Sequence, residues 1–491
     1  MSLRSKAVST LSKAAALMLL PMLAWSCQWV HDDYDETADD NTTQYINITI
    51  AVSAGTDHTT RANPAGGEYG DGMERGIERE NEVQNITIIF YQDDLGINTA
   101  STEAKVVCVK KYDVHPYDPA TEPDRHTHRP SEPADVRLNE VLYTTGEQQL
   151  GQTTLEPGQS YKVLVVANAN IAVSVGDAIS TVRDKVTATA FTGTGKGIDA
   201  ENFVMASESD ATISLTNPYV YTSATEAEKN RFVYYFDCIH MERLAARIDY
   251  CTKGATYDTT LGGYKYSTDG NGFYLVTKVA PFNLYNDSEY LFKRVTTSWT
   301  GTTPAALTYL ADETLTNYVV DPATAQKTTA TTPNYYLSPM AQDILSSAYT
   351  QSMNSLTTDQ TVTDGDGYNN VIIAYCKENT LMPTSPLKKY ATGLAFEVSY
   401  YASATATPQK NVYYHFLRHQ GEQATGSYQA KKWEEITNSD TGSSTTAMNI
   451  GVVRNNIYRV AVEGFSTVEG TIKLRVEEKH WRHVDNPVIY L

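Results

Sequence analysis

Alternating hydrophobic and polar residues near the start of the chain predict a β-strand over residues 45–53. Its hydrophobic positions are Ile46, Ile48, Ile50 and Val52. Residues 53–72 then form a polar stretch rich in turn residues, too long for a tight hairpin turn. This stretch contains a single arginine, Arg61, followed by Ala62. A protease that cut after Arg61 would therefore separate the strand from the rest of the fold.

Loss of this strand would leave a large gap in a sheet. Burying four branched aliphatic side chains stabilises a fold by roughly 6–12 kcal/mol, comparable to the net stability of a domain. A groove with two unpaired edges would bind a strand from another molecule, through backbone hydrogen bonds and alternate side-chain pockets. The alternative is that residues 45–53 are an ordinary first strand and Arg61 an ordinary loop arginine.

Similar strand patterns recur along the chain and predict an all-β fold. Helical spacing is rare and predicts short helices over residues 173–186 and 341–356. A change of pattern near Met241 places a boundary between domains of residues 62–240 and 241–491. The predicted strands cover residues 81–91, 104–112, 161–167, 264–279 (a hairpin), 371–375, 394–401, 411–416 and 456–462.

The C-terminal stretch, residues 471–491, is also prone to form strands. Ile472, Leu474 and Val476 alternate with charged residues, and Val488, Ile489 and Leu491 end the chain. Such an apolar end either pairs within its own fold or is donated to another molecule.

The N-terminus predicts export. Positively charged residues precede an apolar run over residues 14–24 that is too short to span a bilayer. The run ends before Cys27, so residues 1–26 resemble a bacterial lipoprotein signal that makes Cys27 the lipidated first residue. A plain signal peptide is the alternative. Residues 27–44 are acidic and predict a flexible tether.

Charge and cysteine content narrow the possible partners. The net charge of −19 argues against nucleic acid and anionic membrane surfaces. Cys108, Cys238, Cys251 and Cys376 leave three disulfide pairings open, although Cys108 and Cys376 lie in strand-like runs that favour buried free thiols. His115, His126 and His128 lie in or beside a proline-rich loop that lacks the preset geometry of a metal site. We expect no metal and no cofactor.

Known catalytic motifs are absent from the sequence. It contains no GxSxG, no HExxH and no glycine-rich phosphate loop, so we do not expect an enzyme. A surface glycan-binding lipoprotein is an alternative, because the 34 tyrosines could stack on sugars.

Several stretches, in order, resemble the fimbrillins, the lipoprotein-derived subunits of type V pili. They are the signal ending at Cys27, INITIAVSA with TTRANP, ENEVQNITIIFY, GQSYKVLVVANAN, NFVMASES, MERLAARIDY, and VVRNNIYRVAVEGF leading to LRVEEKHW. The resemblance implies two transthyretin-like Greek-key β-sandwich domains in tandem.

The resemblance also implies a path of assembly. A precursor anchored in the outer membrane through Cys27 would be cut by an arginine-specific protease between Arg61 and Ala62. Residues 45–61 would leave, and residues 471–491 would be donated to another copy or a related subunit of a cell-surface fimbrium that supports adhesion. Arg75 and Arg79 are rival cleavage points. A shaft subunit is the expectation, with a tip or an anchor subunit as the alternative.

Overall fold

The computed structural model describes residues 45–51, 73–75, 77–80, 82–92, 104–113, 137–143, 155, 159–197, 199–208, 210–214, 220–221, 239–268, 271–309, 318–328, 335–336, 343–356, 361–363, 369–417, 428–436, 451–466 and 471–482. The predicted all-β fold class is confirmed, because β-strands make up most of the regular structure in these residues. None of the helices in these ranges is long and apolar enough to cross a membrane.

The first half of the chain holds eleven described strands, most of them rich in β-branched residues. They are β1 Tyr45–Ala51, β2 Met73–Arg75, β3 Asn85–Gln92, β4 Lys105–Asp113, β5 Arg137–Tyr143, β6 Ser160–Ala167, β7 Val186–Thr187, β8 Met205–Ser207, β9 Ala211–Ser214, β10 Val220–Tyr221 and β11 Ile239–Arg243.

The second half alternates long strands with two-residue and three-residue strands. They are β12 Ala245–Cys251, β13 Thr256–Asp258, β14 Gly263–Ser267, β15 Phe273–Phe282, β16 Leu284–Tyr285, β17 Glu289–Tyr290, β18 Arg294–Thr296, β19 Trp299–Thr300, β20 Thr303–Pro304, β21 Leu307–Tyr309, β22 Tyr318–Val319, β23 Tyr335–Tyr336, β24 Gln351–Ser352, β25 Thr361–Thr363, β26 Asn369–Lys377, β27 Asn379–Thr380, β28 Gly393–Tyr401, β29 Gln409–Phe416, β30 Tyr428–Ala430, β31 Gly451–Val452, β32 Asn456–Ser466 and β33 Thr471–Arg482. The predicted hairpin over residues 264–279 is confirmed, because β14 pairs antiparallel with β15.

Helices are short throughout the described residues. The α-helices are α1 Ile179–Arg183 and α2 Leu387–Tyr390. Four 3-10 helices cover Glu78–Glu80, Thr324–Gln326, Ile344–Ser346 and Trp433–Glu435. The helix predicted over residues 173–186 is therefore limited to five residues.

The helix predicted over residues 341–356 is wrong within the described part, residues 343–356. That part holds one 3-10 turn and strand β24, which pairs with β15. Local hydrogen bonds compete with a helix here, since Asp343 accepts from the backbone N–H of Leu345 at 3.1 Å and Thr350 donates to the carbonyl of Ile344 at 3.0 Å.

Three sheets carry most of the fold. The first has nine strands in the order β10-β1-β11-β8-β6-β3-β4, with β5 paired to β1 and β9 paired to β6. The second has seven, β2-β33-β32-β12-β26-β25, with β30 on β33, and the third has six, β13-β14-β15-β28-β29, with β24 on β15. Parallel pairs join β1 to β11, β12 to β32, and β2 to β33.

Two hydrophobic cores form in the described part of the chain. The first is built from β3, β4, β6, β8 and α1, and it also takes in Leu291, Phe292, Ile372, Tyr375 and Ile457 from the second half of the chain. The second core lies between the second and third sheets, as in a β-sandwich. The domain boundary predicted between residues 240 and 241 falls inside β11.

Cysteines of the described strands are reduced and buried. Cys108 lies in β4, Cys251 in β12 and Cys376 in β26, and all three are free thiols. This confirms the prediction for Cys108 and Cys376. Burial raises the pKa of the Cys108 thiol to about 11, so it stays protonated near neutral pH. Cys238 and the histidines at 115, 126 and 128 lie outside the described residues.

Candidate strand-exchange site

Strand β1 lies inside the first sheet, with partners along both edges. On one edge β5 runs antiparallel to it in seven pairs, from Tyr45 opposite Tyr143 to Ala51 opposite Arg137. On the other edge β10 pairs antiparallel with its start, and β11 runs parallel to its end, where Ile50 lies opposite Ile239. Removing β1 would therefore open a groove between β5 and the β10 and β11 side of the sheet.

The two walls of this groove depend on β1 to different degrees. Within the described residues, β5 and β10 pair with β1 and with no other strand. Strand β11 also pairs antiparallel with β8, from Met241 opposite Ser207 to Arg243 opposite Met205. Loss of β1 would thus leave β11 in its sheet and leave β5 without its described partner.

Charged side chains fix the end of β11 against the second half of the chain. Glu242 accepts a hydrogen bond at 2.9 Å from Lys293, and both side chains are buried. The backbone N–H of Arg243 donates to the side-chain oxygen of Asn455 at 3.2 Å. Asn455 has a φ of 56°, in the left-handed region that asparagine tolerates better than most residues. These contacts do not involve β1.

A second group of buried charges surrounds Glu80, and we call Arg79, Glu80, Arg243, Arg247 and Tyr375 the clasp. Arg247 donates to the two oxygens of Glu80 at 3.2 and 3.1 Å, and the Glu80 carbonyl accepts from Arg243 Nε at 2.9 Å. Glu80 and Arg247 have no exposed area, so neither charge is shared with water. The clasp therefore attaches the segment before β3 to β11 and β12.

Asp249 completes the charge balance of the clasp. Its two oxygens accept from Arg247 at 3.0 and 2.9 Å, and it is also fully buried. Arg247 thus lies between two carboxylates. Because buried charges are tolerated only when paired and hydrogen-bonded, this geometry allows the clasp to exist in the interior.

Arg79 is held by the same group. Its Nε donates to the carbonyl of Ala200 at 3.1 Å and its Nη2 donates to the hydroxyl of Tyr375 at 2.9 Å. The Tyr375 hydroxyl in turn donates to Glu80. Burial, and then the Glu80 carboxylate, raise the pKa of Tyr375 well above its ordinary value, so the hydroxyl keeps its proton.

Part of the predicted donor region belongs to the subunit's own core. Ile472 and Leu474 lie in β33, have no exposed area and pack in the second core. Strand β33 pairs with β32 from Asn456 opposite His480 to Ser466 opposite Thr471. Donating these two residues would expose the core from which they came. Val476 is in the same strand, and Val488, Ile489 and Leu491 lie outside the described residues.

Strand β2 joins the far end of β33. It runs parallel to β33, with Met73 opposite His480 and Arg75 opposite Arg482. The chain segment that follows the predicted cleavage loop therefore lies beside the segment that precedes the C-terminal tail.

Other predicted site residues fall only partly in the described chain. Ile46, Ile48 and Ile50 are in β1. Cys27, Val52, Arg61 and Ala62 lie outside the described residues. The clasp was not predicted from the sequence, although arginines and an aspartate within the otherwise apolar stretch around MERLAARIDY were a signal for it, because charged side chains inside a buried strand need partners.

Comparison with known proteins gives structural neighbours only. No protein-family model matches the chain, and no curated protein matches it. The tip fimbrial protein Mfa3 from Porphyromonas gingivalis, with a C-terminal truncation, is 10% identical over 89% of this chain and 100% of that chain, with a TM-score of 0.41. A fimbrilin, FimA, from Porphyromonas gingivalis W83 is 11% identical over 90% of this chain and 98% of that chain, with a TM-score of 0.38.

Both neighbours are fimbrial proteins, the class of protein that the sequence resembles. Their TM-scores lie below 0.5, so this likeness does not decide the function of the chain.

Proposed function

We propose that this chain is a structural subunit of a cell-surface fimbrium, and most simply a shaft subunit. The precursor is exported as a lipoprotein through Cys27 and carried to the outer membrane. An arginine-specific protease cuts between Arg61 and Ala62 and frees β1. A strand from another copy then takes the place of β1.

The position of β1 is the observation that carries this proposal. It is a central strand with neighbours on both edges, yet it belongs to a different sheet from β2, the next described strand. β1 and β2 therefore do not pair with each other, and a cut between them does not separate two paired strands. The gap left behind has two edges with unpaired backbone groups, which favours addition of a new strand.

The groove sets the direction of the incoming strand. To reproduce the pairing of β1, a donor has to run antiparallel to β5 and parallel to β11. The β11 wall, which stays paired to β8, is available for the first contacts, and β5 then pairs with the donor over seven positions. In this mechanism β5 closes over the new strand.

The tail after β33 is the donor that leaves the subunit's core intact. Residues 483–491 add nine positions beyond β33, which span about 30 Å at roughly 3.3 Å per residue. The β1 ladder of seven residues needs about 23 Å. A seven-residue ladder from the tail would include Pro487, which has no backbone N–H to donate. Val488, Ile489 and Leu491, which follow it, keep their N–H groups for pairing.

The test is polymer formation by purified precursor treated with an arginine-specific protease. We expect ladders of polymer on a gel run in denaturant without boiling for the native sequence, and unpolymerised precursor for Arg61→Ala. Arg75→Ala is the matched control and should polymerise normally. Normal ladders from Arg61→Ala would contradict the proposed cleavage site.

A peptide of residues 45–52 tests binding to the groove independently of the cleavage site. Added in excess during processing, the peptide should compete for the groove and stop polymer growth. A control peptide with Ile48→Asp and Ile50→Asp should have no effect, because charged side chains oppose burial. Equal inhibition by both peptides would contradict strand replacement.

A further inference from the structure

The peptide bond between Arg79 and Glu80 lies in the clasp. Glu80 accepts from the backbone N–H of Ile77 at 2.8 Å, and the backbone N–H of Glu80 donates to the carbonyl of Ile77 at 3.0 Å. The carboxylate of Glu80 thus caps the 3-10 turn that contains the bond. Ile77 and Glu80, on either side of Arg79, are therefore joined by two hydrogen bonds.

A protease that recognises arginine has two requirements that this turn does not meet. It must enclose the arginine side chain, and it must bind several residues of chain in an extended form. Arg79 instead contacts Ala200 and Tyr375, its guanidinium lies 5.9 Å from the Tyr375 ring centre, and Glu80 is fully buried. Cleavage at this bond requires local unfolding.

We propose that the clasp fixes the inner limit of maturation: any arginine-specific cut that releases β1 falls before Ile77, and residue 77 and all later residues stay in the processed subunit. This rests on the proposed function, since it decides which arginine the protease can use. Arg79 is thereby excluded as a rival cleavage point, although the sequence around it offers one.

The clasp also protects the groove after processing. Arg243, which donates to the Glu80 carbonyl, is the last residue of β11, and the first two residues of β11 pair with β1. Retaining residues 77–80 therefore keeps one anchor on the groove wall once β1 has left. A cut after Arg79 would remove, together with β1, the Ile77 N–H that bonds to the Glu80 carboxylate and the Arg79 bonds to Ala200 and Tyr375.

Limited proteolysis of the folded full-length chain tests the clasp. The chain is treated with trypsin, folded or in urea, and the appearance of an N-terminal Glu80 is followed by mass spectrometry. We expect the bond after Arg79 to be cut at least about 100-fold more slowly in the folded chain, because opening of the clasp is rare.

Tyr375→Phe probes the clasp without changing the sequence that the protease reads. The variant removes one hydrogen-bond partner from each of Arg79 and Glu80, and cleavage after Arg79 should become about 10-fold faster. Tyr250→Phe is the matched control, because its buried hydroxyl bonds to Tyr266 at 2.6 Å in the second core. Cleavage after Arg79 should be unchanged in that control.

Either of two results would overturn the clasp as a processing limit. One is equal cleavage after Arg79 in folded and unfolded chain, and the other is equal acceleration by Tyr375→Phe and Tyr250→Phe. Polymer formation is scored separately on the same samples. Polymers from chains that begin at Glu80 would reject the clasp and keep the proposed function, whereas protection of Arg79 without any polymer would do the reverse.

Discussion

At the residue scale, single buried charges hold together segments that are far apart in the sequence. Arg454 is the clearest case outside the clasp. Its guanidinium donates to the carbonyls of Leu291 at 3.0 Å and Tyr290 at 2.7 Å, and its Nε donates to Glu378 at 3.1 Å. A buried pair of this kind adds little net stability, but breaking it leaves an unpaired charge at a cost of about 3–5 kcal/mol. Such contacts therefore fix the relative positions of the segments they join.

The buried carboxyl of Glu289 should make the free energy of unfolding depend on pH. Burial, opposed by Arg454 and reinforced by Glu378, raises the pKa of the Glu289 carboxyl from 4.5 to about 8. The folded chain therefore binds this proton more tightly than the unfolded chain, and the stability due to Glu289 is complete below about pH 4.5 and is lost as the pH rises to about 8.

Replacing Glu289 by glutamine should remove that part of the pH dependence. Glutamine keeps the oxygen that accepts from the N–H of Glu378 at 2.6 Å. The free energy of unfolding of Glu289→Gln, measured with urea, should equal or fall below that of the native chain at pH 5. At pH 9 it should exceed the native value by on the order of a few kcal/mol. Glu434→Gln, at an exposed position, is the control. A difference that does not change between pH 5 and pH 9 would contradict the assignment.

At the scale of elements, β33 belongs to the subunit's own sheet, whereas the tail after it is the donor in the proposed function. Strand β33 is bound to β32 along its length, to β30 near its start and to β2 near its end. Near its start, Ile472 and Leu474 are buried in the second core. The period-two pattern is the same in a strand that stays and in a strand that is donated, so pattern alone placed both in one donor region.

Two changes separate these roles. Leu474→Ala should lower the free energy of unfolding by about 2–5 kcal/mol, because it leaves a cavity in the second core. Deleting residues 483–491 should leave that free energy nearly unchanged and give a subunit that accepts a donor strand but cannot supply one. Mixing the truncated subunit with intact subunits should shorten the polymers. Wild-type polymers from the truncated subunit alone would remove the tail as donor.

At the scale of the whole molecule, the first core depends on residues from the second half of the chain. Leu291, Phe292, Ile372, Tyr375 and Ile457 pack in it. Arg247 of β12 supplies the cation that pairs with Glu80. A chain that ends after β11 would lack these core residues and would lack Arg247, the cation that donates to both carboxylate oxygens of Glu80.

A fragment of residues 45–243 should therefore fail to reach a native state. We expect it to show weak near-ultraviolet circular dichroism and non-cooperative unfolding in urea, whereas residues 45–491 unfold cooperatively. Adding Glu80→Gln to the fragment should improve its solubility, because it removes a carboxylate that has lost its hydrogen bonds to Arg247. A cooperative transition of the fragment alone would show that the first core is self-sufficient.

The sequence by itself determined the strands, because period-two alternation and β-branched residues need no distant partner to be recognised. It predicted β1, the 264–279 hairpin, the all-β class and the buried free thiols of Cys108 and Cys376. Local pattern failed where hydrogen bonds of Asp343 and Thr350 replaced a helix with a turn.

Only the tertiary structure decided which strands are neighbours and which charges meet. Glu80 and Arg247 are 167 positions apart, and nothing in the spacing of either predicts the pair. The same holds for the burial of Leu474 and for the two-sided pairing of β1. Short-range alternation of hydrophobic and polar residues is enough to predict where strands form. Sheet order and charge pairing depend on packing between residues far apart in the sequence, which this alternation does not contain.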